Sequence, residues 1–442
     1  MMSIKKIKKA GVFIAVFVLL FTVLFPISAV NAASVISAEA ESGRLYGDIN
    51  EDQSVDALDF ALFKKYLLDS SQTVEFLGYM DLNLDNRIDV LDFAVLKRYL
   101  LGIIDTLPEG TIPAAPGVQY IGRFDTSDPE GPKFAWSAST IKANFTGTGI
   151  SAKLKSIGDN YFNVIIDGAV KAPINTPAGS SAAYILASGL SNGTHTVELV
   201  KRTEASIGEV QFLGFTVAGG NLLAPADASS KRIEFIGDSI TCGYGNEGTT
   251  QYQSFTSKNE NAYMAYGAVT GRLLGAEVTT VCWSGKGVVQ NYGGNKEDLM
   301  PSLYSRILPY DSTKVWDYTK WVPDVVVINL GTNDISTVAL DGTRFTAEYS
   351  KLADKIRSQY PEAHIYCAVG PMLYGETLEN MNKYVGTVVN DKKTSGDNKV
   401  HFIEFPQQDQ ANGYGEDWHP TVKTHQIMAD QLAAQIKKDL GW

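Results

Sequence analysis

Four short stations in the chain carry residue types able to cleave an acyl bond. Ser239 closes the run Arg232-Ile233-Glu234-Phe235-Ile236-Gly237-Asp238-Ser239, and Gly285 sits in Trp283-Ser284-Gly285-Lys286-Gly287. Asn333 sits in Gly331-Thr332-Asn333-Asp334, and His419 in Glu416-Asp417-Trp418-His419-Pro420. A serine hydroxyl becomes a nucleophile when an imidazole takes its proton, and the oxyanion then formed needs N–H donors at close range. Glycine lets a backbone N–H approach, and an asparagine amide can donate as well. Taken alone, Ser239 reads equally well as a helix cap, because serine favours that position; the other three stations give it a chemical role.

The elements expected to position these stations alternate in type. Strand-like runs Arg232 to Gly237, Glu277 to Cys282, Asp324 to Leu330, His364 to Val369 and Val400 to Phe405 are separated by helical stretches Ala262 to Leu274, Phe345 to Gln359, Leu378 to Asp391 and Thr421 to Leu440. In the last of these, Met428, Leu432, Ile436 and Leu440 recur every four residues as a buried stripe. Such alternation predicts a three-layer α/β/α domain over 230–442 with a parallel five-stranded sheet. The carboxyl ends of its strands are where such sheets build active sites, and Ser239 falls there. No G-x-S-x-G elbow occurs within residues 230–442, after any of these strand-like runs, which argues against the α/β-hydrolase arrangement.

Ahead of this domain, residues 118–222 change to short runs rich in β-branched and aromatic residues, such as Phe134 to Phe145, Tyr161 to Ile166, Thr194 to Lys201 and Val210 to Val217. Turn signals Asp167-Gly168 and Asn192-Gly193 punctuate them, so a β-sandwich of jelly-roll kind is expected. Prolines and glycines between 105 and 117 suit a semi-extended linker.

Residues 45–104 hold a repeat of period 33. Asp48, Asn50, Asp52, Asp56 and Asp59 recur as Asp81, Asn83, Asp85, Asp89 and Asp92, within twelve identities in register. These are oxygen ligands at loop positions 1, 3, 5, 9 and 12, and position 7 (Ser54, Arg87) can add its backbone carbonyl, which is what a calcium ion requires. Gln53 and Asn86 replace the usual glycine at position 6, and an aspartate replaces the terminal glutamate. The expectation is two structural Ca2+ ions.

The duplicated loop, each copy followed by one helix, resembles a type I dockerin, the module that plugs enzymes into cohesins of a cellulosome scaffold. The resemblance implies a cohesin-facing surface at Ala57, Leu58, Lys64 and Lys65, or at Val90, Leu91, Lys97 and Arg98. The four catalytic stations, in their order, resemble the SGNH (GDSL) hydrolase superfamily. The wording around Ser239, Gly285 and His419, with the β-rich region ahead, is similar to carbohydrate esterase family two. That resemblance implies a secreted, cellulosome-attached serine esterase removing O-acetyl groups from xylan or a related plant polysaccharide, with no cofactor in catalysis.

Under this reading Ser239 attacks, His419 is the base, and the N–H groups of Ser239 and Gly285 with the Asn333 amide hold the oxyanion. Most SGNH enzymes place an aspartate three residues before the histidine. Here Glu416 holds that place, and the third member is Asp417, with Glu416 or the Trp418 carbonyl as alternatives. Trp283, Tyr244, Tyr292 and Trp418 could stack on sugar rings. The other readings are an SGNH lipase or thioesterase, since fold does not fix substrate, and a non-catalytic carbohydrate-binding protein. The catalytic part is expected to be monomeric.

The N-terminus supports export. Lys5, Lys6, Lys8 and Lys9 precede an apolar run from Gly11 to Phe25 and a small-residue stretch ending at Ala32, the pattern of a signal peptide over 1–32. Its 15 apolar residues fall short of the roughly 20 needed to span a bilayer. Without those lysines, 34 basic residues face 49 acidic ones, a net charge of about −15, which disfavours nucleic acid and anionic membrane partners. Three cysteines, Cys242, Cys282 and Cys367, are too few for a disulfide framework, although one Cys242–Cys282 bridge is open. His195, His364, His401 and His425 lie in strand or helix patterns and read as structural, and no H-E-x-x-H cluster points to zinc.

Overall fold

The computed structural model describes residues 46–50, 52, 54–68, 80, 82, 88, 90–104, 107, 117–225 and 228–442. The expected signal peptide lies outside the described residues. So does most of the 105–117 linker, and so do Asp81, Asn83, Asp85, Arg87 and Asp89 of the second loop. No described helix is long and apolar enough to cross a membrane.

Two helices, α1 (Ala57–Leu68) and α2 (Val90–Leu100), follow the two acidic loops. Phe60 and Phe93, equivalent positions of the repeat, stack with ring centroids 4.2 Å apart. Phe63, Tyr66, Met80, Leu82 and Leu96 are buried around them. Leu58, Val90 and Leu91 stay more than half exposed, which leaves an apolar surface at loop positions 10 and 11.

The strand-rich region contains β1 (Val118–Ile121), β2 (Lys133–Phe134), β3 (Thr140–Ser156), β4 (Asn160–Ile166), β5 (Ala169–Val170), β6 (Ile174–Thr176), β7 (Ser181–Lys201), β8 (Val210–Ala218) and β9 (Leu222–Leu223). They join in one nine-stranded hydrogen-bonded network with the path β2-β8-β3-β7-β4-β5. All nine pair antiparallel around one apolar core that includes Phe134, Phe145, Phe162, Leu199 and Phe212. Asp167-Gly168 makes the expected turn, both residues at positive φ, between β4 and β5. Asn192-Gly193 does not turn the chain. It lies inside the 21-residue β7, at a register irregularity where Gly193 pairs with Gly147 and Ser188 with Gly149. The run expected from Phe134 to Phe145 is likewise interrupted, with Ala138 at φ 56° before β3 begins.

The second half builds a parallel sheet from β10 (Arg232–Gly237), β11 (Glu277–Cys282), β12 (Val325–Asn329), β13 (His364–Val369) and β14 (Val400–Glu404), in the order β11-β10-β12-β13-β14. Side chains alternate between the two faces, as strand geometry requires. Ile233, Phe235, Val325 and Val327 enter one core with α4 (Tyr266–Leu274) and α9 (Val422–Leu440). Ile236, Val326 and Ile328 enter the other with α7 (Gly342–Gln359) and α8 (Gly375–Thr394). Short helices α3 (Ser239–Cys242), α5 (Met300–Leu303) and α6 (Thr332–Ser336) lie in the connections, α3 and α6 directly beyond the strand ends. Thr421 caps α9, its side chain accepting the Thr424 N–H. The helix read from Ala262 breaks at Ala265, an extended residue between a 3-10 turn and α4.

The strand order reverses direction between β10 and β12. Sheets of this kind take ligands beyond the strands' carboxyl ends at such a switch point, and Ser239 and Asn333 follow those two strands.

Candidate active site

Ser239 is the first residue of α3, and the cap of that helix is Asp238, whose Oδ1 accepts the Ile240 N–H. Ser239 is thereby freed from the capping role, and its Oγ lies 2.9 Å from His419 Nε2. Two segments 180 residues apart in sequence thus meet in hydrogen-bonding contact.

The histidine is held by backbone. His419 Nδ1 faces the carbonyl oxygens of Glu416 at 3.2 Å and Asp417 at 3.1 Å. Neither carboxylate orients the ring, which corrects the expectation for Asp417 and its alternative Glu416. Asp417 Oδ2 accepts the Tyr244 hydroxyl and the Phe255 N–H. The Glu416 carboxylate is fully buried and accepts from Thr256 N, Thr256 Oγ1 and Asn259 Nδ2, which anchors the histidine turn to the 243–260 loop. The Trp418 carbonyl is also taken, by Gln408 Nε2 at 2.7 Å.

Asp417 and Trp418 both adopt positive φ, 48° and 66°, a conformation that costs about 1–3 kcal/mol for a residue with a side chain. That backbone path points two successive carbonyls at one imidazole nitrogen. It is fixed by Asp417 N donating to Gln253 O and Glu416 N donating to Gly245 O. A side chain at Gly245 would collide with Glu416 Cβ at 2.5 Å, so glycine is needed for the approach.

Beyond β11, Gly285 takes φ 78°, a left-handed conformation suited to glycine. The N–H groups of Ser239 and Gly285 make no hydrogen bond to another described residue. Asn333 Nδ2 donates to Asp238 Oδ2 at 3.1 Å and to Lys286 O at 3.0 Å, and so ties the serine turn to the Gly285 loop. Asp334, which carried no assignment in the sequence, is completely buried and accepts N–H bonds from Val288, Val289 and Gln290. Its adjacency to Asn333 was the only available signal. Burial pushes the Asp238 carboxyl up to about 7.

Of the four aromatic candidates, Tyr244 packs on the His419 ring at 4.1 Å between centroids and so supports the imidazole. Trp283 is half-buried against Tyr310. Tyr292 and Trp418 are exposed, and Trp418 is flanked by Tyr252 and Tyr414, two aromatics that sequence reasoning did not single out. The remaining histidines are structural: His195 contacts Asp167, His364 contacts His401, and His425 accepts the Tyr266 N–H. Cys242, Cys282 and Cys367 are free, buried thiols.

Burial lowers the His419 imidazole to about 4, against the smaller opposing effect of the two carbonyls and of Asp417. No carboxylate bonds to Nδ1 to stabilise the imidazolium. A general base works in its neutral form, so activity is expected to persist as pH falls and to be lost only as pH passes down through about 4. A kcat/KM profile whose acid limb is centred near 6.5, the value of an ordinary histidine, would contradict this.

Residues 120–226 match the family described as carbohydrate esterase 2 N-terminal, and residues 233–432 match GDSL-like lipase/acylhydrolase. Residues 46–101 match the dockerin type I domain. The chain is 54% identical over 327 residues to the cellulase/esterase CelE of Acetivibrio thermocellus, covering 74% of this chain but only 40% of that protein's length. It is 30% identical over 345 residues to an acetylxylan esterase / glucomannan deacetylase of Cellvibrio japonicus, covering 75% and 92% of the two chains. Among solved structures, a family two carbohydrate esterase from Clostridium thermocellum in complex with cellohexaose superposes with a TM-score of 0.72 at 54% identity, over 74% of this chain and all of that one.

Proposed function

Because the chain belongs to carbohydrate esterase family two and carries a type I dockerin, we propose that it is an O-acetyl esterase of plant polysaccharide, exported and held on a scaffold through cohesin binding. The observation that carries the chemistry is the 2.9 Å contact between Ser239 Oγ and His419 Nε2. Neutral His419 would accept the Ser239 proton as Oγ attacks the acetyl carbonyl, then protonate the departing sugar oxygen. Water would repeat the cycle on the acetyl-enzyme. The N–H groups of Ser239 and Gly285 would bind the oxyanion, with Asn333 sharing one amide hydrogen. The carbonyls of Glu416 and Asp417 would keep the Nδ1–H tautomer in place, so the centre works as a dyad oriented by backbone.

Xylan and glucomannan are the substrate classes favoured by the Cellvibrio relatives' names, and the solved relative's cellohexaose makes a β-linked glucan a ligand to test beside them. The exposed Trp418, Tyr252 and Tyr292 would offer such chains flat apolar faces. Acetate release from acetylated xylan, with hydrolysis of nitrophenyl acetate far exceeding that of long-acyl esters, is the expected result. A preference for long acyl chains would favour a lipase instead.

A further inference from the structure

Glu204 belongs to the strand-rich region, in the turn after β7, yet its side chain is buried against the loops that carry the esterase chemistry. Its Oε2 accepts the Ser284 N–H at 2.6 Å and the Cys242 thiol at 3.5 Å, and its Oε1 accepts the Ser206 hydroxyl at 2.6 Å. Ser284 immediately precedes Gly285. Cys242 lies in the same short helix as Ser239. One carboxylate from outside the parallel-sheet domain therefore joins the loop proposed to bind the oxyanion to the helix bearing the proposed nucleophile.

The backbone that carries this carboxylate is itself well fixed. Glu204 N donates to Glu260 Oε2 at 2.8 Å, and the buried Lys201 ammonium donates to Thr203 O at 2.7 Å and Glu204 O at 3.1 Å. Glu204, Cys242 and Glu260 also lie close enough together to suggest a metal site. The Lys201 ammonium beside them already supplies positive charge, which argues for a charge-balanced polar network instead. Other bonds across this boundary end elsewhere: Arg123 reaches Glu234 within β10, and Asn163 reaches Asn261. Glu204 alone among these reaches the residue next to Gly285.

We propose that Glu204 is a positioning residue of the ester-cleaving centre, setting the placement of the Gly285 N–H relative to Ser239, so that the strand-rich region is part of the catalytic apparatus. This rests on the esterase reading above. Holding the Ser284 N–H fixes the peptide one residue before the donor, and a shift of about 1 Å in such a group can cost about 10²-fold in rate.

The test uses the full chain with Glu204→Gln, Glu204→Asp and Glu204→Ala, measuring kcat and KM on nitrophenyl acetate per active site titrated with a fluorophosphonate, so that any unfolded fraction drops out. In Glu204→Gln the amide oxygen can still accept the Ser284 N–H while its nitrogen donates to Ser206, so kcat should stay within about threefold. Aspartate is shorter by one methylene and cannot span the gap, so Glu204→Asp and Glu204→Ala should lose about 10- to 100-fold in kcat with KM within about threefold. Glu204→Asp and Glu204→Ala with kcat within threefold would overturn the proposal, and so would Glu204→Gln falling as far as Glu204→Ala. Turnover by the unsubstituted chain that vanishes in Ser239→Ala supports the esterase reading independently, and that reading survives if the Glu204 series shows no effect.

Discussion

Ser239→Ala is expected to lower kcat on nitrophenyl acetate by about 10⁴- to 10⁶-fold, with the melting temperature moved by no more than about 3 °C. The two halves of this expectation have separate physical grounds. The nucleophile's loss removes the covalent route and strands His419 without a proton to take, while any residual rate comes from binding and oxyanion contacts. The fold should hardly notice, because the cap of α3 is Asp238 and, among the described residues, the serine hydroxyl bonds only to His419. Asp417→Asn is the informative contrast. Its carboxylate faces Tyr244 and Phe255, and asparagine keeps an acceptor there, so turnover should stay within about tenfold, whereas a triad aspartate changed to asparagine typically costs about 10⁴-fold. Acetate release that survives in Ser239→Ala, at rates above a few per cent of the parent, would remove the assignment of the nucleophile.

The parallel sheet was readable in the sequence because its signals are local. Each strand is a short β-branched run, as in Val325 to Asn329, and three of the five expected strands match the observed ones end to end. The α9 stripe was equally plain, since a four-residue repeat of large apolar side chains has few alternatives to one buried helix face. Ser239 and His419 were recognisable by residue type and by their places near element ends. What holds His419 was not, because it depends on backbone direction: Asp417 and Trp418 at positive φ turn carbonyls inward and send the neighbouring carboxylates elsewhere. Composition carries no mark of that path. Glu204 was invisible for a similar reason, as its partners lie 38 and 80 residues away and belong to another layer of the molecule. Asn192-Gly193 misled in the opposite direction, since a turn-forming pair can also sit at a register irregularity inside a long strand.

Chelation of calcium is expected to abolish cohesin binding, a loss of at least about 10³-fold in affinity, and to leave ester turnover within about twofold. In the first loop Asp48, Asn50, Asp52, Asp56 and Asp59 bring four carboxylates and an amide oxygen into twelve residues, a donor set made wholly of hard oxygens. Asp52 N donates to Asp48 Oδ1 and Asn50 Oδ1, and the buried Asp59 carboxylate accepts from Ile49 N, Asn50 N and Asp56 N. The backbone is thus wrapped around the acidic groups. Carboxylates brought together in one tight loop repel one another, and a divalent cation would offset that repulsion. Asp92 at the equivalent place in the second loop is also buried and accepts the Leu82 N–H, consistent with a paired design. The stacked Phe60 and Phe93 make the two halves one small core, so losing one loop should loosen both helices. Their exposed Leu58, Val90 and Leu91, which cohesin would cover, need those helices in place. Helical ellipticity that drops with chelator and returns with calcium, alongside restored cohesin retention, is the expected record. Retention unchanged in chelator would show that the acidic loops hold their shape without a cation and that docking does not depend on one.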